Sequence, residues 1–189
     1  MDINREKSLE LFNQWIDSDS LTKHCLAVEG AMRGCAEEFG EDPEVWGACG
    51  LLHDIDFQKY PQEEHLEHGP KILKEAGYPD FFVNAVKGHA DFTNTPRETK
   101  MAKCLYAVDQ LASFIVAVGL VRPTKLEGMK YKSVKKKIKD KAFAKAVDRE
   151  EMKKGAEELD MELKDLVMVV VNALQKREKE LNDMGQSLF

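Results

Sequence analysis

Gly50-Leu51-Leu52-His53-Asp54-Ile55-Asp56 sets a histidine and a carboxylate side by side at the end of an apolar run. Imidazole nitrogen and carboxylate oxygen are both metal ligands. The pair gains meaning from its surroundings. The five histidines of the chain, His24, His53, His65, His68 and His89, all fall between positions 24 and 89, and Asp109 follows on the next apolar segment. Histidines that served only surface or core positions would have no reason to gather in this way. The stretch points to a metal site assembled from several helices.

Upstream of it, Asp42-Pro43 gives an N-cap followed by proline at the first helical position, and Val45, Trp46, Cys49 and Leu52 continue at helical spacing to His53. Successive helical side chains diverge by about 100°. His53 and Asp54 therefore serve one centre most easily where the helix ends and the backbone turns, with Phe57 to Pro61 as loop. Before this helix, residues 4–16 predict a first amphipathic helix through Leu9, Phe12 and Ile16. Residues 20–39 predict a second, with Leu21, Cys25, Val28, Met32, Cys35 and Phe39 on one stripe, Gly40 closing it and His24 on its edge.

Downstream, a turn with His65 and His68 leads into a helix that begins near Gly69-Pro70 and ends near Ala76-Gly77. The segment 80–90 places Phe82, Ala85, Val86 and His89 at i, i+3, i+4 and i+7, so His89 is expected on the apolar face. Thr95-Pro96 is expected to start the most apolar helix, where Ala102, Leu105, Asp109, Ala112 and Val116 share a face. A carboxylate among those neighbours must be protonated, paired or metal-bound. Beyond Pro123 come a lysine-rich helix, a turn near Asp140, a helix through Phe143 and Val147, another over 149–158 and a last one over 162–184. There is no strand alternation of useful length, so the expectation is an all-α chain.

At 189 residues the chain is most simply one domain, 1–189, with a core at 20–122 and a C-terminal helical extension, 123–189, packed on it. Cys25, Cys35, Cys49 and Cys104 form no CxxC pair, and no basic, apolar leader opens the sequence, which favours a reduced, cytoplasmic protein. The apolar run Cys104 to Val121 contains Asp109, Gln110 and Ser113, so it is read as a buried central helix rather than a membrane span. A net charge of −6 argues against a nucleic-acid polymer as partner. The lysines at 125, 130, 132, 135, 136, 137, 139, 141 and 145 are read as a solvated helical face, with attraction of a phosphorylated ligand as the alternative.

His24, His53, Asp54, His68, His89 and Asp109 offer nitrogen and oxygen without thiolate, which suits Fe, Mn, Co, Ni or Zn, one or two ions, with Mg admissible. In this order the residues resemble the HD-domain superfamily of metal-dependent phosphohydrolases, in particular HDIG-like bacterial members, over about residues 20–122. The resemblance rests on His24, on Gly50 through Asp56, on His68-Gly69-Pro70-Lys71-Ile72-Leu73, on His89 and on Val108-Asp109. It implies an HD-domain helical bundle with additional C-terminal helices. It also implies His24, His53, Asp54 and Asp109 as ligands of a first metal, His68 and His89 as ligands of a second, and Asp54 as the bridge. His65, three residues before His68, is the alternative to it; Gly69 and Ile72-Leu73 favour His68.

The implied activity is hydrolysis of a phosphate ester of a small molecule, a nucleotide in many relatives, with catalytic roles for Asp54, Asp56 and Lys59. Lys59, Arg97, Arg122 and Lys125, in loops or at helix ends, are the candidates for holding the phosphate. Two departures stand out. Many relatives have His-Asp-Ile-Gly-Lys where this chain has His53-Asp54-Ile55-Asp56-Phe57, so Lys59 is the nearest substitute for the lysine. Asp56 is then either a residue that orients a ligand or a helix-end hydrogen-bond partner. His89 is followed by Ala90-Asp91, without the paired histidines of cyclic-dinucleotide phosphodiesterases. An HD-fold di-iron oxygenase and a non-catalytic nucleotide or metal sensor remain alternatives, and homo-oligomerisation stays open.

Overall fold

The structure is a computed structural model that describes residues 3–61 and 64–189. The described residues are helical and contain no strand. The order is α1 (Arg5–Trp15), α2 (Asp19–Phe39), α3 (Pro43–Leu52), α4 (Gly69–Glu75), α5 (Asp80–Lys87), a 3-10 turn at Asp91–Thr93, α6 (Lys100–Leu120), α7 (Tyr131–Ile138), α8 (Arg149–Glu158) and α9 (Leu163–Asp183).

Caps explain most of the boundaries. Asn4, Ser18 and Asp42 accept backbone N–H bonds at the starts of α1, α2 and α3, and α2 stops at Gly40 in the left-handed region (φ +70°). Two expectations are corrected. The sixth helix begins at Lys100, with Thr99 as its cap, instead of at Thr95-Pro96. The segment 141–147 forms consecutive turns, not a helix. Arg149 holds those turns together by donating to the carbonyls of Phe143, Ala144 and Val147.

Helix α2 is the axis of the bundle, flanked by α3, α6 and α9. Small residues set the closest approaches. A Cβ on Gly50 of α3 would lie 2.7 Å from the Val28 carbonyl oxygen of α2, and one on Gly155 of α8 would lie 2.5 Å from the Ala107 Cα of α6. The core spans the chain from Phe12 to Leu188, so α8 and α9 bury their apolar faces, including Met152, Leu166, Val170 and Leu174, in the same cluster as α2 and α6. Helix α6 is long and apolar enough to cross a membrane by composition, yet its apolar stretch is mostly buried within the bundle.

Buried charge pins the ends together. Glu29 of α2, 1% exposed, accepts from Arg5 Nε of α1 at 2.6 Å and from Arg177 Nη2 of α9 at 2.5 Å.

Candidate metal centre

Because Gly50 lets α3 press on the α2 backbone at Val28, the residue three positions later meets the residue four positions earlier. His53 Nε2 lies 3.0 Å from His24 Nε2. Helix α3 ends at Leu52, and the turn that follows swings Asp54 to the same side as His53. Asp109 arrives from α6; Ser113, one turn further on, lies 3.0 Å from His24 Nδ1 through its Oγ.

These side chains converge on one point. His24 Nε2 is 3.4 Å from Asp54 Oδ2 and 3.3 Å from Asp109 Oδ1; His53 Nε2 is 3.5 and 3.7 Å from the same two oxygens. A metal about 2.1 Å from each ligand has ligand-to-ligand edges of about 3.0 Å in an octahedron and about 3.4 Å in a tetrahedron. The observed edges match that spacing. The other oxygen of Asp54 faces a second group: Oδ1 is 3.1 Å from His65 Nε2 and 3.5 Å from His89 Nε2. One carboxylate thus stands between two histidine pairs.

The imidazoles are oriented by their outer nitrogens. His53 Nδ1 lies 2.7 Å from the Gly50 carbonyl and His89 Nδ1 lies 2.7 Å from the Val86 carbonyl, so each donates Nδ1–H and turns the Nε2 lone pair inward. The two contacts are the same device, a histidine at a helix end bonding the carbonyl three residues back. Helix α5 stops at Lys87, so His89 sits in the turn beyond it, not on its apolar face. The loop after His89 is tied down at Asp91, which accepts from Arg97 (2.9 Å), Lys154 (2.7 Å) and Tyr106 (3.2 Å).

Electrostatics fit a cation site. Burial pulls the His24 imidazole down, but hydrogen bonds and charge from Asp109 and Asp54 outweigh it and push it up to about 10. His65 is lowered by burial and raised more strongly by Asp54 and Asp56, to about 9. Burial opposes ionisation of Asp54 and Asp109, yet the surrounding histidines hold both carboxyls below the usual range. Two carboxylates this deeply set require positive charge beside them, which protons supply without a metal and a divalent ion supplies with one. The group opens to solvent where His24 is 22% exposed and Asp54 and Asp109 are 12% and 13% exposed; His53 is fully buried.

The expected sites divide. His24, His53, Asp54, His89 and Asp109 come together; His68 does not. Its ring stacks on Tyr60 with centroids 3.7 Å apart, and His65 takes the place beside Asp54. The reason is local. Residues 64–68 are turns, with Leu66 in the left-handed region (φ +68°), so His65 and His68 do not share a helical face. Asp56, fully buried, accepts from His65 Nδ1 at 2.8 Å, from Leu66 N at 2.8 Å and from Gly69 N at 2.7 Å. It therefore both orients a ligand histidine and ties the start of α4, and its position is behind the site instead of facing a substrate.

The four cations expected to hold phosphate are engaged elsewhere. Lys59 Nζ lies 3.9 Å above the Trp15 ring, and Lys125 Nζ lies 4.8 Å from the centre of the Phe189 ring. Arg97 spends its donors on Glu158, Asp91 and the Gly88 carbonyl. Arg122 bonds the Lys125 and Glu127 carbonyls and Ser133, closing the loop between α6 and α7. The sequence marks Ser113 only as a polar interruption of the apolar run, although its i+4 spacing from Asp109 puts it on the ligand face.

No curated protein and no solved structure matches the chain. A family model does: residues 21–113 match the HD domain, a range that contains His24, His53, Asp54, His65, His89 and Asp109. HD domains in general are metal-dependent phosphohydrolases that bind divalent metals. The histidine and aspartate order in the sequence, the convergence of those residues on Asp54 and the family match agree, and the chain belongs to the HD-domain superfamily.

Proposed function

We propose that this protein hydrolyses a phosphate ester of a small molecule, a nucleotide being the leading class, at a centre of two divalent metals. His24, His53, Asp109 and Asp54 Oδ2 would hold one ion; His65, His89 and Asp54 Oδ1 would hold the other. The observation that carries the reading is Asp54 itself, whose two oxygens face different histidine pairs at 3.4 Å and 3.1 Å. A divalent ion in such a site supplies Lewis-acid polarisation of a phosphoryl oxygen and a water acidic enough to attack near neutral pH.

The chain's own residues prepare the site for that chemistry. His53 and His89, fixed through Nδ1, cannot rotate their Nε2 atoms away. Asp56 does the same for His65, with a carboxylate where the others use a carbonyl, and so makes His65 the more basic donor. The centre reaches solvent at His24, Asp54 and Asp109, while the His53 side chain is fully buried. With Lys59, Arg97, Arg122 and Lys125 occupied elsewhere, neutralisation of the phosphate falls to the ions in this reading.

The test is to load metal-free protein with Mn, Fe, Co, Ni, Zn or Mg in turn and assay nucleoside phosphates and simple phosphate esters. Turnover that disappears in Asp54→Ala supports the reading, and equal turnover in Asp54→Ala rejects it. A second reading uses the same ligands for two irons and O₂-dependent oxidation; the four imidazoles around Asp54 favour it. Iron content and visible absorption of protein purified under reducing conditions separate the two.

A further inference from the structure

His89 differs from the other ligand histidines in how its backbone is held. His24 and His53 lie on α2 and at the end of α3, the two helices that meet at Gly50, and Asp56 reaches His65 from behind. His89 has left its helix: α5 stops at Lys87, and the turn that carries His89 runs on into the exposed residues Asp91 and Phe92. Thr93 Oγ1 donates to the carbonyls of Lys87 at 2.8 Å and Ala90 at 2.9 Å. These bonds join the turn to itself and to the end of α5, not to α6 or α8.

Arg97 supplies that tie. Its Nη1 donates to the Gly88 carbonyl at 3.0 Å and to Asp91 Oδ1 at 2.9 Å, so one nitrogen grips the chain on both sides of His89. Gly88 leaves room for it, since a Cβ there would lie 3.3 Å from Arg97 Cγ. The Nε and Nη2 edge of the guanidinium bonds Glu158 of α8 at 2.8 and 2.6 Å, and its central carbon lies 3.7 Å from the centre of the Tyr106 ring of α6. Tyr106 and Lys154, the latter also from α8, donate to the other oxygen of Asp91 at 3.2 and 2.7 Å. The Arg97 side chain is only 11% exposed, and Glu158 and Lys154 lie beyond the matched residues 21–113.

We infer that Arg97 is the positioning residue for His89, and that through its fork the C-terminal helix α8 sets how tightly the second ion is held. This deepens the two-ion reading and rests on it. Arg97 has no hydrogen bond to a ligand side chain among the described residues; it acts by fixing the turn, and so the 3.5 Å at which His89 Nε2 faces Asp54 Oδ1. The shape of the donor matters more than its charge. The four bonds use N–H groups held in one plane, whereas a lysine ammonium has three donors on a flexible stem and cannot serve Glu158 and both sides of His89 together. His24 and His53 make no contact with this fork, so the first ion should be indifferent to it.

The experiment titrates metal-free wild type, Arg97→Lys, Glu158→Gln and Glu150→Gln with Co²⁺, followed by calorimetry and visible absorption below the melting temperature of each. Arg97→Lys should weaken the second ion about 10- to 100-fold, as expected when a group that orients a ligand is lost, and leave the first in place. Glu158→Gln keeps the shape of the acceptor without its charge and should act in the same direction by less. Glu150→Gln, exposed on α8, should match wild type. A double-mutant cycle with His89→Ala isolates the route: in that background Arg97→Lys should change Co²⁺ affinity no further, because the ligand it positions is gone. An Arg97 that only stabilises the fold would lower the melting temperature with both affinities unchanged, or weaken both ions alike with or without His89; either result overturns the assignment while the two-ion reading stands. A wild type that binds a single ion overturns both.

Discussion

Asp56 accepts the Nδ1 proton of His65 at 2.8 Å, and the opposite nitrogen of the same ring faces Asp54 at 3.1 Å. A carboxylate behind an imidazole fixes its orientation and raises its basicity, so its removal weakens metal binding by about 10- to 100-fold. Asp56→Ala should therefore lower affinity at the His65 and His89 pair and spare the His24 and His53 pair. It also strands the N–H groups of Leu66 and Gly69, at a cost of about 1–3 kcal/mol. Metal titration by calorimetry should show stoichiometry falling towards one ion, and loss of both ions together would contradict the separation.

Replacing His65 and His68 one at a time tests the geometry of the turn between them. His65→Ala should remove an ion, since its Nε2 is one of two nitrogens facing Asp54 Oδ1. His68→Ala should retain full metal content and lose only the Tyr60 stack, about 0.5–1.5 kcal/mol. Elemental analysis of the two purified variants decides between them.

The difference between these histidines shows where sequence stops being sufficient. Caps are local, so Asn4, Ser18, Gly40 and Asp42-Pro43 mark α1, α2 and α3 to within a residue or so. His24, His53, Asp54, His89 and Asp109 were legible because each sits on or beside an apolar stripe. His65 and His68 were separable only by the path of a turn that puts Leu66 at positive φ, a conformation leucine adopts at a cost of about 1–2 kcal/mol and no propensity announces. The partners of the cations were hidden for a related reason: Arg97 meets Glu158 across 61 residues, and nothing near either in sequence states that pairing.

Proton and metal compete for the same atoms, and the sign of the pH dependence follows. With His24 raised to about 10 and His65 to about 9, both rings hold a proton at pH 7 in metal-free protein. Each ion must displace one, so affinity at each site should rise about tenfold per pH unit up to pH 9–10 and then level off. Stability of the metal-free protein should move in the opposite direction. Raised histidine pKa values contribute stability that is complete below about 6.5 and lost as pH climbs through 9–10. Melting temperatures with chelator at pH 6.5 and 9.5, beside metal titrations at the same values, test both slopes; parallel slopes would exclude proton competition at these rings.

Glu29 carries a larger share of stability than any exposed pair. Its carboxylate, 1% exposed, joins α1 through Arg5 and α9 through Arg177. Removing one partner of a buried pair leaves the others uncompensated, so Glu29→Ala should cost about 3–5 kcal/mol in urea or thermal unfolding. Exposed Lys176 and Glu37 join the same two helices, α9 and α2, and Lys176→Ala should cost under about 1 kcal/mol.

Gly50 links packing to chemistry most directly. Alanine is the better helix former by about 1 kcal/mol, which favours Gly50→Ala in an isolated α3. In the fold, the added methyl would lie 2.7 Å from the Val28 carbonyl oxygen and 3.0 Å from the Glu29 Cα, both backbone atoms of the helix at the centre of the bundle. Neither can swing aside as a flexible side chain would, so α3 must move off α2, and overpacking of this kind costs about 1–3 kcal/mol. His53 hangs on Gly50 through its Nδ1 hydrogen bond, so the same displacement carries His53 Nε2 away from His24. Gly50→Ala should accordingly lower the melting temperature and, in protein still folded at 20 °C, weaken metal binding at the His24 and His53 pair more than at the His65 and His89 pair. A variant that melts earlier but binds both ions with unchanged affinity would show that α3 tilts without moving His53.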